Sequence, residues 1–165
     1  MTMFRLILAG LVLASPAGAE VLGCFGRSYA PEHLAANPGQ QIREIRAKRH
    51  VEQSGGPEFY DLRVHFRDDP REFSAATYCE DEGGRQICMV ECDGGVVFPS
   101  IDGDGRLQLR TSYLRAETAQ PLPGQKLEEG GCAEPVTRSI ADRTPLGDTA
   151  TVFLLQPREL AECDW

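Results

Sequence analysis

Six cysteines (Cys24, Cys79, Cys88, Cys92, Cys132, Cys163) and three histidines (His33, His50, His65) are the side chains here best suited to hold a metal or attack a substrate. Their spacing excludes most of that chemistry. There is no Cys-x-x-Cys pair and no His-Glu-x-x-His, so neither a zinc centre nor a thiol-exchange motif is spelled out. Cys88-x-x-x-Cys92 resembles a ligand pair, but zinc needs thiolates, and the start of the chain points to a compartment where thiols pair. Covalent haem attachment would need Cys-x-x-Cys-His, and a hydrolase elbow would need Gly-x-Ser-x-Gly; both are missing. Asp102-x-Asp104-Gly105 has the middle of a calcium loop. It fails at the ends, where Ser100 stands for the first Asp and Thr111 for the bidentate Glu, so a hairpin turn is expected. No metal, cofactor or catalytic residue is assigned.

Residues 1–19 read as a signal peptide: Arg5, an apolar run from Leu6 to Ala14, the breaker Ser15-Pro16, then Ala17-Gly18-Ala19. That run is far shorter than the roughly 20 residues of a spanning helix, so no permanent membrane anchor is expected. Val21-Leu22-Gly23-Cys24 as a lipoprotein box is disfavoured. Glu20 interrupts the apolar approach, and lipidating Cys24 would leave five cysteines, an odd number. Cleavage leaves residues 20–165, the length of one disulfide-stabilised domain in the periplasm or outside the cell, where all six cysteines can pair. Sixteen basic against twenty-five acidic residues then give a net charge of −9. An acidic surface releases no counterions from phosphates, which excludes nucleic acid, but it can attract a basic envelope protein.

The pattern that must position these residues is mainly β. Pro31 to Gly39 suits one short helix, with Ser28 as cap and an Asn-Pro-Gly stop. From there the period is two: Ile45, Ala47 and Val51 alternate with charged residues, as do Tyr60, Leu62, Val64 and Phe66. Further strands are expected over 73–80, 85–92, 95–99, 106–114 and 151–156, separated by Gly-, Asp- and Pro-bearing turns, with long loops over 116–149 and a final helical turn before Cys163. Such an antiparallel meander closes into a small β-barrel, the alternative being a β-sandwich; closure removes exposed edges.

The hairpin geometry assigns one disulfide. A two-residue turn at Gly83-Gly84 puts Cys79 opposite Cys88 as a non-hydrogen-bonded pair about 4.5 Å apart, which suits a bridge. Cys92 lies about 13 Å further along, too far for Cys88. The remaining pairs are expected to be Cys92 with Cys132, and Cys24 with Cys163, the last tying the chain ends together.

Two charged surfaces follow from the meander. The turns at 52–58, 81–84 and 102–105 share one end, gathering Glu52, Glu58, Asp81, Glu82, Asp102 and Asp104 into an acidic rim with only Arg85 nearby. That rim suits a basic partner or a cation. The outward face of the first two long strands carries Arg46, Lys48, His50, Arg63, His65 and Arg67, relieved by Glu44 and Asp61, a candidate anion strip.

Cys24-Phe25-x-Arg27-x-Tyr29, the His33-Leu34 helix with Pro38 and Gln40, and the run from Gly83-Gly84 through Cys88-x-Val90-Glu91-Cys92-Asp93-Gly94-Gly95 resemble a group of small secreted, cysteine-containing bacterial proteins without assigned activity. The resemblance spans most of residues 20–165 and implies export, with no chemistry attached. The expectation is a non-enzymatic binding module that binds or inhibits a basic protein through acidic loops. The alternatives are a barrel holding a small apolar ligand and a hydrolase using paired carboxylates.

Overall fold

The computed structural model describes residues 19–124 and 134–165. The expected signal peptide, apart from Ala19, and Cys132 lie outside the described residues. The strands are β1 (Glu20–Ser28), β2 (Ile42–Val51), β3 (Glu58–Phe66), β4 (Glu72–Glu82), β5 (Arg85–Met89), β6 (Gly95–Ile101), β7 (Leu107–Thr118), β8 (Val136–Ser139), β9 (Arg143–Thr144), β10 (Gly147–Asp148) and β11 (Thr151–Arg158). One helix, α1 (Pro31–Ala36), lies between β1 and β2, and a 3-10 turn spans Leu160–Cys163.

Eight of these strands close a barrel, running β11-β1-β2-β3-β4-β5-β6-β7 and back to β11, with every pairing antiparallel. The barrel, not the sandwich, is therefore the architecture. β1 completes it, between β11 and β2, with Phe25 opposite both Pro157 and Ala47. Beyond Leu114 the barrel wall changes partners: β7 pairs β8 on one side and touches β4 at Ser74–Glu117 on the other.

Period-two alternation sorts the side chains. Ile42, Ile45, Tyr60, Leu62, Val64, Phe66, Phe73, Leu107, Leu109, Leu114, Phe153 and Leu155 point inward and are almost fully buried, filling the barrel among the described residues. Phe66 and Phe73 meet edge to face, ring centres 4.9 Å apart. This polarity is the reverse of a membrane barrel, whose apolar side chains face outward. No helix among the described residues is long and apolar enough to cross a membrane.

Position 49 breaks the alternation, placing an arginine in the inward phase. Its neighbour across the ladder compensates: the Arg49 guanidinium donates from Nε (2.8 Å) and Nη2 to the Glu58 carboxylate. Gln86 donates to the same carboxylate at 2.9 Å. These side chains stopper one mouth of the barrel above Tyr60, whose hydroxyl is pushed up to about 12 by burial.

Cys79 faces Cys88 in register and bonds to it, across a turn in which Gly83 and Gly84 both have positive φ (62° and 81°), as a type I′ hairpin requires. Cys24 bonds Cys163, 139 residues apart. Cys92 is exposed and has no disulfide partner among the described residues. The two bridges are compatible with an oxidising compartment outside the cytoplasm.

Three local expectations need correction. The helix cap is Ala30, with Pro31 first in the helix, and Ser28 is the last residue of β1. The region after Ala116 is not all loop: β7 runs to Thr118, and β8, β9 and β10 follow. Finally, β11 does not stop at residue 156 but continues through Pro157 to Arg158, and the helical turn occupies Leu160–Cys163.

Candidate functional site

The outward face of β2 and β3 gathers most of the predicted cationic strip, and the fold supplies carboxylates to match. Glu72, entering β4, lies 3.3 Å from Arg46, 3.4 Å from Arg63 and 3.5 Å from His65. Asp61 lies 3.2 Å from His50 and 3.7 Å from Lys48. Arg67 does not belong to the strip. It follows the end of β3, and its Nη1 donates to the carbonyls of Leu34, Asn37 and Gln40, capping the exit from α1.

The strip is also covered. The Cys24–Cys163 bridge pins the end of the 3-10 turn to β1, and two residues later Trp165 lies over the cations. Arg46 Cζ, Lys48 Nζ and Arg63 Cζ are 5.3, 5.3 and 5.7 Å from the ring centre, within cation–π range. Lys48 Nζ donates to the backbone oxygen of Trp165 at 2.9 Å, and Arg46 Nη1 to the Glu162 carbonyl at 3.2 Å. The strip's cations are thus paired with carboxylates and partly shielded by Trp165.

The acidic rim is partly neutralised by two arginines that its sequence reading had not counted. Glu58 is the inward partner of Arg49, which holds its carboxyl below the usual range. Arg106 lies 2.8 Å from Asp102 and 2.9 Å from Asp104. The Arg106 backbone N–H, donating to Asp102 Oδ1 at 2.9 Å, is the main influence lowering that carboxyl, and the Arg106 guanidinium adds to it. The 102–106 segment is thus a hairpin turn closed by its own Asp. Glu52, Asp81 and Glu82 form no ion pair among the described residues; Asp81 accepts from Gly84 N at 2.9 Å, and Glu82 faces Arg85 across the turn. No group of three or more His, Cys, Asp or Glu there is placed to hold a metal.

What the sequence did not show is a groove of about 540 Å³ on the outer face of β3 and β4. Small side chains, Ser74 and Ala76, lie along it with Phe59 and Tyr78 at one end. Trp165 and Arg63 line one side. The other is the β5–β6 loop, Val90 to Cys92, with Arg115 and Glu117 of β7. The loop is braced: Arg115 donates from Nη2 to the Glu91 carbonyl (2.9 Å) and from Nη1 to that of Cys92 (3.1 Å), and its N–H to that of Gly94 (2.7 Å). Cys92 and Asp93 hold left-handed backbone (φ 55° and 58°). Gly95 has no substitute there, since a Cβ would lie 2.2 Å from the Tyr113 carbonyl oxygen. One signal pointed to this groove: the outward phase of β4 reads Ser74, Ala76, Tyr78, two small residues before an aromatic one. Its walls, which come from residues 90–92, 115–117 and 165, had no signal.

Away from the strip, the rim and the groove, burial pushes the Asp142 carboxyl up, and its Oδ1 has no hydrogen-bond partner among the described residues. A folded acid that holds its proton to higher pH than the unfolded chain destabilises once pH passes from 3.8 through the raised value, and the cost persists at neutral pH. Asp142→Asn is expected to melt at higher temperature than the parent at neutral pH, with the advantage fading as pH falls through the raised value and gone below 3.8. Equal or lower melting at neutral pH would contradict the assignment.

No protein-family model, curated protein or solved structure matches the chain.

Proposed function

We infer that the protein is an exported binding module that grips a basic partner on its outer surface and performs no chemistry of its own. The observation carrying this reading is the occupied interior. Phe66, Phe73, Phe153 and the surrounding leucines take the space that a small-ligand barrel keeps for its cargo, while the groove lies outside. A net charge of −9 over residues 20–165 favours a basic partner through long-range attraction. The two disulfides suit service outside the cytoplasm. The hydrolase reading gains little, since a carboxylate pair with pKa values pushed apart is its requirement. Asp142, the described carboxylate pushed upward, does not line the groove.

Calorimetric titration of residues 20–165 with oligolysine and with oligoglutamate tests the reading. Oligolysine is expected to bind at low salt and to be released at about 1 M salt, where the screening length falls to about 3 Å. Oligoglutamate is expected not to bind. Equal behaviour of the two peptides would sink the proposal.

A further inference from the structure

Within the groove, β4 has a gap in its hydrogen-bonding edge. On one side it is paired with β3 from Glu72 to Tyr78. On the other, Ser74 meets Glu117 of β7 and Tyr78 meets Met89 of β5, and between these two contacts the strand faces the groove. The phase of the ladder identifies the open amide. A Cα separation of 4.0 Å marks Cys79–Cys88 as a non-hydrogen-bonded pair. The two-residue turn agrees, since its flanking pair Glu82–Arg85 is hydrogen-bonded. Alternation then turns the N–H and C=O of Ser74, Ala76 and Tyr78 away from β3. Ser74 and Tyr78 find β7 and β5. Ala76, which is exposed, pairs with no strand on that side among the described residues.

Charge selects what fits there. The groove's two arginines are engaged, Arg63 with Glu72 at 3.4 Å and Arg115 with the carbonyls of the loop. Glu91 and Glu117 line the same groove, and their carboxylates form no ion pair among the described residues. Small side chains at Ser74 and Ala76 leave room for a backbone to approach, as strand addition to an open edge demands.

We propose that this groove takes an extended polypeptide segment carrying lysine or arginine, which pairs its backbone with Ala76 and sets its basic side chain against Glu91 and Glu117. The proposal rests on the outward-binding reading above and names its site and ligand. Main-chain bonds supply the grip, and the two carboxylates supply the preference for basic sequence.

Selection from a random heptapeptide library displayed on phage, against residues 20–165, is the test. Enriched peptides are expected to carry Lys or Arg and to bind the Glu91→Gln/Glu117→Gln double variant at least about tenfold more weakly. Methylating their amide nitrogens at alternate positions is expected to abolish binding in one phase and spare it in the other, the signature of a strand pairing on one edge. Both substituted residues are exposed, and an unchanged circular dichroism spectrum verifies that the variant folds. Enriched peptides that lack basic residues, or that ignore both the double variant and the phase of methylation, would overturn the groove proposal while leaving outward binding in place. Failure to enrich any peptide would overturn both.

Discussion

Alanine in place of Phe73 is expected to lower stability by about 3–5 kcal/mol. Phe73 is fully buried near the start of β4, opposite Val64, with its ring edge to face with Phe66. Its position multiplies the effect, because β4 and β7 meet one residue on, at Ser74–Glu117. A cavity there removes packing beneath the join as well as the transfer energy of the ring. For a domain with about 5–15 kcal/mol in hand, that is a large share. Urea unfolding is the measurement, with the midpoint falling and the slope unchanged. A loss below about 1 kcal/mol would mean that the interior repacks freely and is not the close-packed core described here.

The two disulfides are expected to differ in worth because they close loops of very different length. The Cys24–Cys163 bridge spans 139 residues and the Cys79–Cys88 bridge 9. Chain-entropy reasoning gives about 5 kcal/mol for the long closure and about 3 for the short one. The long bridge has a second consequence, because it anchors the tail that lays Trp165 over Arg46, Lys48 and Arg63. Trp165 is the sole tryptophan of the chain. Cys24→Ala/Cys163→Ala is therefore expected to be the less stable of the two double variants and to shift tryptophan emission to the red while still folded. Cys79→Ala/Cys88→Ala is expected to keep the parent emission. Equal destabilisation, with no spectral change in either, would contradict both the closure and the docking of the tail.

The central strands were legible because they alternate strictly. Tyr60, Leu62, Val64 and Phe66 show one face of a half-buried strand, and Gly83-Gly84 fixes the register that sets Cys79 against Cys88. β1 was not legible. Glu-Val-Leu-Gly-Cys-Phe-Gly-Arg-Ser has two glycines and no clean period, and a register shift between Val21 and Gly23 blurs it further. Arg49 hid the other irregularity: an inward arginine looks like a surface residue until Glu58 is seen across the ladder. That pairing removed Glu58 from the acidic rim. The groove was the hardest part to see. It depends on where β4 loses its neighbours and on a disulfide that brings residue 165 beside residue 63, and neither can be read from local spacing.

The most direct test of binding from the outside follows the oligolysine titration by residue-resolved NMR on residues 20–165. The expected result is movement of amide signals at Ala76, Glu91 and Glu117, with the methyl signals of the buried Leu107, Leu109, Leu114 and Leu155, none of which lines the groove, unchanged. Shifts in the methyl signals of those four leucines, with the outer amides silent, would place the ligand inside the barrel and contradict it.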